Sequence, residues 1–406
     1  MINIAVLGYG TVGSGVVEVI STNKESIAKR IGDDINIKYV LDLREFPGSS
    51  IENILVHDFD TIVNDEEVDI VVEAMGGINP AYSFAKASLE HGKSYCTSNK
   101  ELVAKYGPEL LKLSEKMNKN FLFEASVGGG IPIIRPLNQS LTADEIMEIT
   151  GILNGTTNYI LTKMSKEGLD FDTVLKEAQE LGYAERNPEA DVEGYDACRK
   201  IAILTSLAYG QHVDYEDIYT EGITAITDVD FKYASKMGRV IKLFGKSKRV
   251  GDKFFAMVAP FMIDDNDPLY SVNGVLNGIL VKGNVLGDVM FYGSGAGKLP
   301  TASAVVADVV DEAKHLNRNI MTMWKEEKLQ LEDKADSKRR FFVRIKGKEE
   351  ELVPQLKESY GEIEVVKVPE LEGEFGFVTP VMMEGDYETR SKLYKEQIVH
   401  MIRIQD

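Results

Sequence analysis

The first thirteen residues constrain this chain more tightly than any other stretch. Ile2-Asn3-Ile4-Ala5-Val6-Leu7 reads as a short buried strand. It runs straight into Gly8-Tyr9-Gly10-Thr11-Val12-Gly13, where a helical pattern starts and continues to about Ile27. A strand, a G-x-G-x-x-G turn and a helix in that order form a cradle for a dinucleotide pyrophosphate. Gly8 permits the tight turn, Gly10 lets the phosphates reach the main chain, and Gly13 lets helix and strand pack closely. The amides of Thr11, Val12 and Gly13 then face the phosphates from the positive end of the helix dipole. The alternative is a glycine-rich turn that only packs; the flanking strand and helix favour the cradle.

The alternation continues downstream. Ile35–Leu41, Ile70–Ala74, Ser94–Thr97 and Phe121–Ser126 read as strands, and a helix falls around Pro80–Glu90. Such alternation predicts an α/β class, doubly wound parallel sheet over residues 1–135. After Pro132–Pro136 the pattern is mixed: strand-like Ile146–Leu153, helices over 158–166 and 171–181, a long helix over 191–209, and strands at Lys253–Met262 and Gly278–Val281. Residues 136–290 are therefore expected to form an α+β domain. A helix over 302–316 has the character of an element returning to the first domain, so 291–317 is assigned there. Residues 318–339 are polar and read as a linker, and 340–406 follows a βαββαβ order expected of a small separable domain.

Charge narrows the function. Lys+Arg number 46 and Asp+Glu 65, a formal net charge of −19. Such a surface repels polyphosphate, which argues against nucleic acid and anionic membrane as partners. A phosphate-bearing ligand must be held by local amides and a few placed cations. With 406 residues, 44% of them hydrophobic, the chain has material for a substantial core. Two cysteines, Cys96 and Cys198, make no disulfide framework, no run approaches a membrane span, and the immediate strand leaves no room for a signal peptide. The expectation is a soluble cytoplasmic enzyme.

Several segments carry candidate chemistry. Asp42 ends the second strand, where a carboxylate accepts the ribose hydroxyls of NAD; Arg44 is placed to pair instead with the extra phosphate of NADP, and a plain solvated turn is equally compatible. Lys100, in Ser98-Asn99-Lys100, follows a strand at the sheet edge where ligands bind, although Asn-Lys at a helix start is also an ordinary cap. In Glu124–Pro132, Gly128-Gly129-Gly130 allow either a hinge or a set of carbonyls for a hard cation. Gly151–Asn158, including Gly151 and Thr156, crowds small polar groups at a strand-to-helix turn, which suits a buried polar ligand. Asp196 and Lys200 share one helix face at i,i+4. Exposed pairs of this kind are solvated ion pairs, but this helix runs into Ile201-Ala202-Ile203-Leu204 and reads as buried, where charges are paired or functional. Glu185 and Asp191, just before it, are carboxylates suited to a substrate ammonium.

Taken together and in this order, Gly8–Gly13, Ser98–Lys100, Glu124–Pro132, Gly151–Asn158, Gly182–Lys200 and Phe291–Gly297 resemble the homoserine dehydrogenases. The resemblance covers about residues 1–316. It implies a Rossmann domain, a substrate-binding and dimerisation domain, and reversible hydride transfer between NADP or NAD and the aspartate semialdehyde/homoserine pair in threonine and methionine biosynthesis. It places Lys200 as proton donor, Asp196 as its partner, Lys100 facing cofactor and substrate, Glu185 and Asp191 on the substrate, and Gly297 in the second glycine segment by the cofactor. It also implies a sodium site at Glu124, Val127, Gly129 and Ile131, the last three through main-chain carbonyls, and a homodimer or homotetramer. Leu43 stands where many members carry arginine, which puts the usual NADP preference in question. The tail from 340 resembles an ACT domain more weakly. Its first turn, Lys346-Gly347-Lys348-Glu349-Glu350, lacks the Asp-x-Pro-Gly type of loop that accompanies amino-acid binding. Two other readings share these features: a related semialdehyde or oxo-acid dehydrogenase, and a catalytically silent dinucleotide sensor.

Overall fold

The computed structural model describes residues 1–405. The chain begins β1 (Ile2–Leu7), α1 (Thr11–Thr22), α2 (Lys24–Ile31), β2 (Ile35–Leu41), β3 (Leu55–Val56), α3 (Asp60–Val63), β4 (Ile70–Glu73), α4 (Ala81–Glu90), β5 (Ser94–Thr97), α5 (Lys100–Lys116) and β6 (Phe121–Leu122). Next come β7 (Ile146–Ile152), α6 (Gly155–Glu167), α7 (Phe171–Glu180), α8 (Glu189–Val192), α9 (Tyr195–Tyr209), β8 (Gln211–His212), β9 (Tyr219–Thr220) and α10 (Asp228–Lys236). After these stand β10 (Val240–Val250), β11 (Lys253–Ile263), β12 (Leu276–Gly283), β13 (Gly287–Ser294), α11 (Lys298–Lys314) and β14 (Lys325–Lys328). The chain closes with β15 (Lys338–Lys346), α12 (Glu349–Tyr360), β16 (Glu364–Val366), β17 (Glu374–Val378), β18 (Met382–Met383), α13 (Glu384–Ser391) and β19 (Ile398–Ile404).

Two compact units are formed. The first comprises Met1–Glu145, Ala202–Tyr215 and Gly293–Leu329. Its parallel sheet runs β3-β2-β1-β4-β5-β6. Strand order reverses between β1 and β4, and ligands of doubly wound sheets bind at the carboxyl ends of such a switch point. Leu7 is flanked there by Leu41 and Glu73, so the loops after β1, β2 and β4 emerge together. Both faces of the sheet are covered, which is why β1 and β4 are nearly continuous apolar runs. α11 does return to this unit: a Cβ on Gly15 of α1 would come within 2.9 Å of Ala302. The helix expected over 13–27 is broken at Asn23, α1 ending at Thr22 and α2 beginning at Lys24.

The stretch 318–339, where the chain passes from the first unit at Leu329 to the second at Gln330, is anchored in its first part. Trp324 is 4% exposed, and a Cβ on Gly107 would sit 2.8 Å from its ring. β14 pairs with β8, and Lys112 meets Glu326 at 2.5 Å. One indole and a strand pairing anchor a stretch of polar composition, because burial of a single large ring and a few main-chain bonds outweigh the solvated side chains around them.

The second unit comprises Ile146–Ile201, Glu216–Tyr292 and the chain from Gln330. One mixed sheet of eleven strands runs through it, β13-β12-β7-β10-β11-β19-β15-β17-β16, with β18 on β15 and β9 on β11. The tail has the expected βαββαβ order with β18 added, yet it does not stand apart. β19 pairs in parallel with β11, Phe261 opposite Arg403 and Met262 opposite Ile404. Arg344 of β15 donates to Asp230 of α10 at 2.9 Å, and both are buried. The long helix expected over 191–209 is two helices, α8 and α9, separated at Gly194, whose φ of +83° ends the first.

Candidate active site

The glycine turn after β1 has the contacts its sequence demands. Gly8 adopts φ +91°, and a Cβ on Gly13 would lie 1.8 Å from the Gly8 carbonyl, so α1 can approach β1 only without side chains there. A Cβ on Gly10 would meet nothing within 4 Å, leaving open space above the first turn of α1. No side chain caps that helix, so the amides of Thr11, Val12 and Gly13 keep the free donors of a helix start. Asp42 sits beside the turn and accepts the Tyr9 amide at 2.8 Å. Arg44 folds back onto it, Nε to Oδ1 and Nη2 to Oδ2, both at 2.9 Å. That guanidinium, with the amides of Tyr9 and Arg44, holds the Asp42 carboxyl well below the usual carboxylate range against its partial burial.

Lys100 opens α5. Its placement depends on residues that local pattern does not single out. The fully buried Glu73 accepts the amides of Met75 and Gly76 at 2.6 and 2.9 Å and the Thr97 hydroxyl at 2.5 Å. Thr97 accepts the Asn99 amide at 2.9 Å. Asn99 caps the helix by accepting from Leu102 and donates its side-chain amide to Gly77. This lattice ties the loop after β4 to the loop after β5. A charged residue closing an apolar strand, as Glu73 does, was the signal available.

The three-glycine loop abuts the second glycine segment. A Cβ on Gly129, at φ +58°, would lie 2.2 Å from the Gly295 carbonyl, and the Gly130 amide donates to Ser294. Gly297, at φ +119°, begins α11. The Glu124 carboxylate accepts the amides of Ile133, Ile134 and Arg135 at 2.6, 2.8 and 2.7 Å, which braces the loop that follows. The carbonyls of Val127, Gly129 and Ile131 accept no backbone hydrogen bond among the described residues, an oxygen donor set that a hard cation prefers.

In the second unit, Asp191, Asp196 and Lys200 are brought together. Lys200 Nζ lies 2.8 Å from Asp196 Oδ2 and donates to the Leu153 carbonyl at 2.8 Å. That carbonyl is set by packing: a Cβ on Gly151 or Gly245 would approach the Leu153 side chain to 2.6 and 2.7 Å, so two glycines on neighbouring strands make its pocket. Asn154 joins the pieces. It donates to Asp191 Oδ1 at 2.7 Å and Asp196 Oδ2 at 2.9 Å, and its Oδ1 caps α6 by accepting from Thr157. In sequence, Asn154 is one of several small polar groups in a turn, with nothing to single it out. Gly151 is thus a packing glycine. Thr156 directs its hydroxyl to the Tyr183 carbonyl at 2.6 Å, pinning the Gly182–Tyr183 turn to α6. Glu185 is exposed on that loop. The result is a buried ammonium held by the Asp196 carboxylate and the Leu153 carbonyl, with the Asp191 carboxylate joined to the cluster through Asn154, an arrangement able to deliver a proton.

Comparison with known proteins agrees with this geometry. Residues 8–124 match the family model described as homoserine dehydrogenase, NAD binding domain, and residues 132–310 match homoserine dehydrogenase. The homoserine dehydrogenase of Synechocystis sp. is 47% identical over 317 residues, 76% of this chain and 73% of that one. The crystal structure of a homoserine dehydrogenase from Thiobacillus denitrificans superposes with TM-score 0.91 at 33% identity, covering 100% of this chain and 98% of that chain. A hyperthermophilic archaeal homoserine dehydrogenase in complex with NADPH gives TM-score 0.65 at 28% identity, covering 77% of this chain and 97% of its own. A glycine turn built for a dinucleotide, a buried lysine–aspartate pair and these matches converge: the chain belongs to the homoserine dehydrogenase family.

Proposed function

We propose that the protein interconverts L-aspartate 4-semialdehyde and L-homoserine with a nicotinamide dinucleotide, and that Lys200 is the group that donates and removes the proton. The observation that carries this is the cluster of buried Asn154, Asp196 and Lys200 with half-buried Asp191. Bound on the Gly8–Gly13 turn, the dinucleotide supplies or accepts the hydride. As hydride reaches the aldehyde carbon, negative charge grows on its oxygen. A Lys200 ammonium within hydrogen-bond reach stabilises that charge and then passes its proton to the oxygen. Asp196 and the Leu153 carbonyl hold the ammonium in one orientation. Asp191, aligned by Asn154, is the carboxylate for the substrate ammonium, with Glu185 of the neighbouring loop as a second. Lys100 supplies positive charge for the cofactor and the substrate carboxylate. Steady-state homoserine oxidation with NAD and NADP side by side is the test; no turnover with either overturns the reading.

Arg44 favours NADP. It already pairs with an anionic partner in Asp42, and a ribose phosphate would take that place, whereas NAD needs the Asp42 oxygens cleared of the guanidinium. A sodium ion fits the carbonyls of Val127, Gly129 and Ile131, where it would stiffen the loop that Glu124 braces. We also propose a homodimer. The β12–β13 hairpin exposes Val285, Leu286 and Tyr292, apolar groups that a second copy would cover. An active species sedimenting at 45.1 kDa would refute the dimer. Both cysteines are buried, and no helix among the described residues is long and apolar enough to cross a membrane; a cytoplasmic location is the reading we adopt.

A further inference from the structure

β9 and β19 lie end to end along the same edge of β11. Tyr219 and Thr220 of β9 pair in parallel with Met257 and Val258, and Arg403 and Ile404 of β19 pair in parallel with Phe261 and Met262. This places Arg403 beside Glu221, residues separated by 182 positions, with Nη1 to Oε2 at 2.6 Å. Arg403 is 1% exposed. Its Nη2 and Nε donate to Glu384 of α13 at 2.6 and 3.1 Å, and its guanidinium lies 5.2 Å from the Tyr219 ring centre. The Tyr219 hydroxyl adds a bond of 2.9 Å to Glu221 Oε2.

Glu221 leads directly into a main-chain contact with the segment between α8 and α9. The Ile223 amide donates to the Val192 carbonyl at 2.8 Å, and a Cβ on Gly222 would stand 2.2 Å from that carbonyl and 2.5 Å from Glu193 Cα. The main chain of 221–223 therefore lies directly against the main chain of 192–193. Gly194, next along, has Thr220 and Val258 within 3.2 Å of the position a Cβ would take. Asp191 precedes this contact by one residue and Asp196 comes three residues after it.

We infer that Arg403 is a positioning residue of the substrate site, acting through Glu221 and the 221–223 main chain on the segment that carries Asp191 and the first turn of α9. The inference rests on the assignment of Asp191 and Asp196 to that site under the proposed function. It predicts that the tail's last strand is part of the machinery that orients substrate carboxylate ligands, with no contact to substrate itself. A bidentate guanidinium held between two carboxylates fixes direction as well as distance, which a lysine at the same position would not.

The test uses the full chain with Arg403→Met, Glu221→Gln and the double variant. Both single variants are expected to raise KM for homoserine about tenfold while KM for the dinucleotide is unchanged, and the double variant to be no worse than either single one. Hydrogen exchange of the 188–200 amides should accelerate in both. A loss of stability alone, with the homoserine KM within about twofold of wild type and unchanged exchange in Glu221→Gln, overturns the inference. Should Arg403→Met fail to fold, the part-exposed Glu221→Gln decides by the same readings. The exchange measurement needs no turnover: faster exchange in a protein that never oxidises homoserine would sink the proposed reaction and leave the positioning role standing.

Discussion

Asn154 and Asp196, 42 residues apart in sequence, meet through a 2.9 Å hydrogen bond on the same carboxylate oxygen that accepts Lys200. Asp196 is therefore held from two sides, and the ammonium it faces has one orientation. Lys200→Ala should lower kcat by roughly 10² to 10⁴ while dinucleotide affinity, read by fluorescence titration, stays near wild type. A near-normal kcat would remove Lys200 from the proton-transfer role.

Arg44 sets cofactor choice in the proposed scheme. Arg44→Ala should cut kcat/KM for NADP about tenfold or more and leave that for NAD level or improved, because Asp42 is then free for ribose hydroxyls. An unchanged NADP/NAD ratio would show that the guanidinium only covers Asp42.

The Asp230 carboxylate makes acid stability a local question. Burial alone would raise its pKa, but His400 at 3.2 Å and Arg344 at 2.9 Å hold it below its ordinary 3.8. A depressed carboxylate contributes stability that is complete above its unfolded value and is lost as pH falls through the folded one. Urea midpoints measured from about pH 5 to pH 3 should fall steeply in wild type and less steeply in Asp230→Asn, which starts lower. Parallel curves would exclude the pair as the titrating element.

Removing the tail should not leave an intact core. Truncation before Lys338 uncovers the β11 edge at Phe261 and Met262 and removes Arg344 from the buried Asp230. The expected product is insoluble or melts several degrees lower, since an open strand edge and an unpaired buried charge both destabilise. A soluble truncated protein with wild-type Tm and kcat would show the tail to be separable, as its element order taken alone suggests.

Threonine should inhibit weakly or not at all. Glu349, Glu350 and Glu351 fill the first turn of α12, directly after the turn that in an ACT pair would capture an effector carboxylate. Strong inhibition in a threonine titration at millimolar concentration, lost on truncation, would overturn this.

The legible parts of this protein are those governed by neighbours in sequence. The run Ile2–Leu7 into Gly8–Gly13, the strands Ile35–Leu41 and Ser94–Thr97, and the i,i+4 spacing of Asp196 and Lys200 come from side-chain period and glycine sterics, which act over a few residues. β10 is hidden in the sequence because Lys242, Lys246 and Lys248 interrupt its apolar pattern; all three are accommodated by distant partners, Lys242 by Asn158, Val272 and Asn273, the other two by Glu148. The same holds for Asn154 between Asp191 and Asp196, for Glu73 under the loop that leads to Lys100, and for Arg403 against Glu221. Sequence alone determined the cradle, the Asp196–Lys200 pairing and the family. The tertiary structure decided which polar residues are buried and what they hold, because a hydrogen bond between residues tens to hundreds of positions apart leaves no local pattern and exists only once the strands that carry its ends are paired.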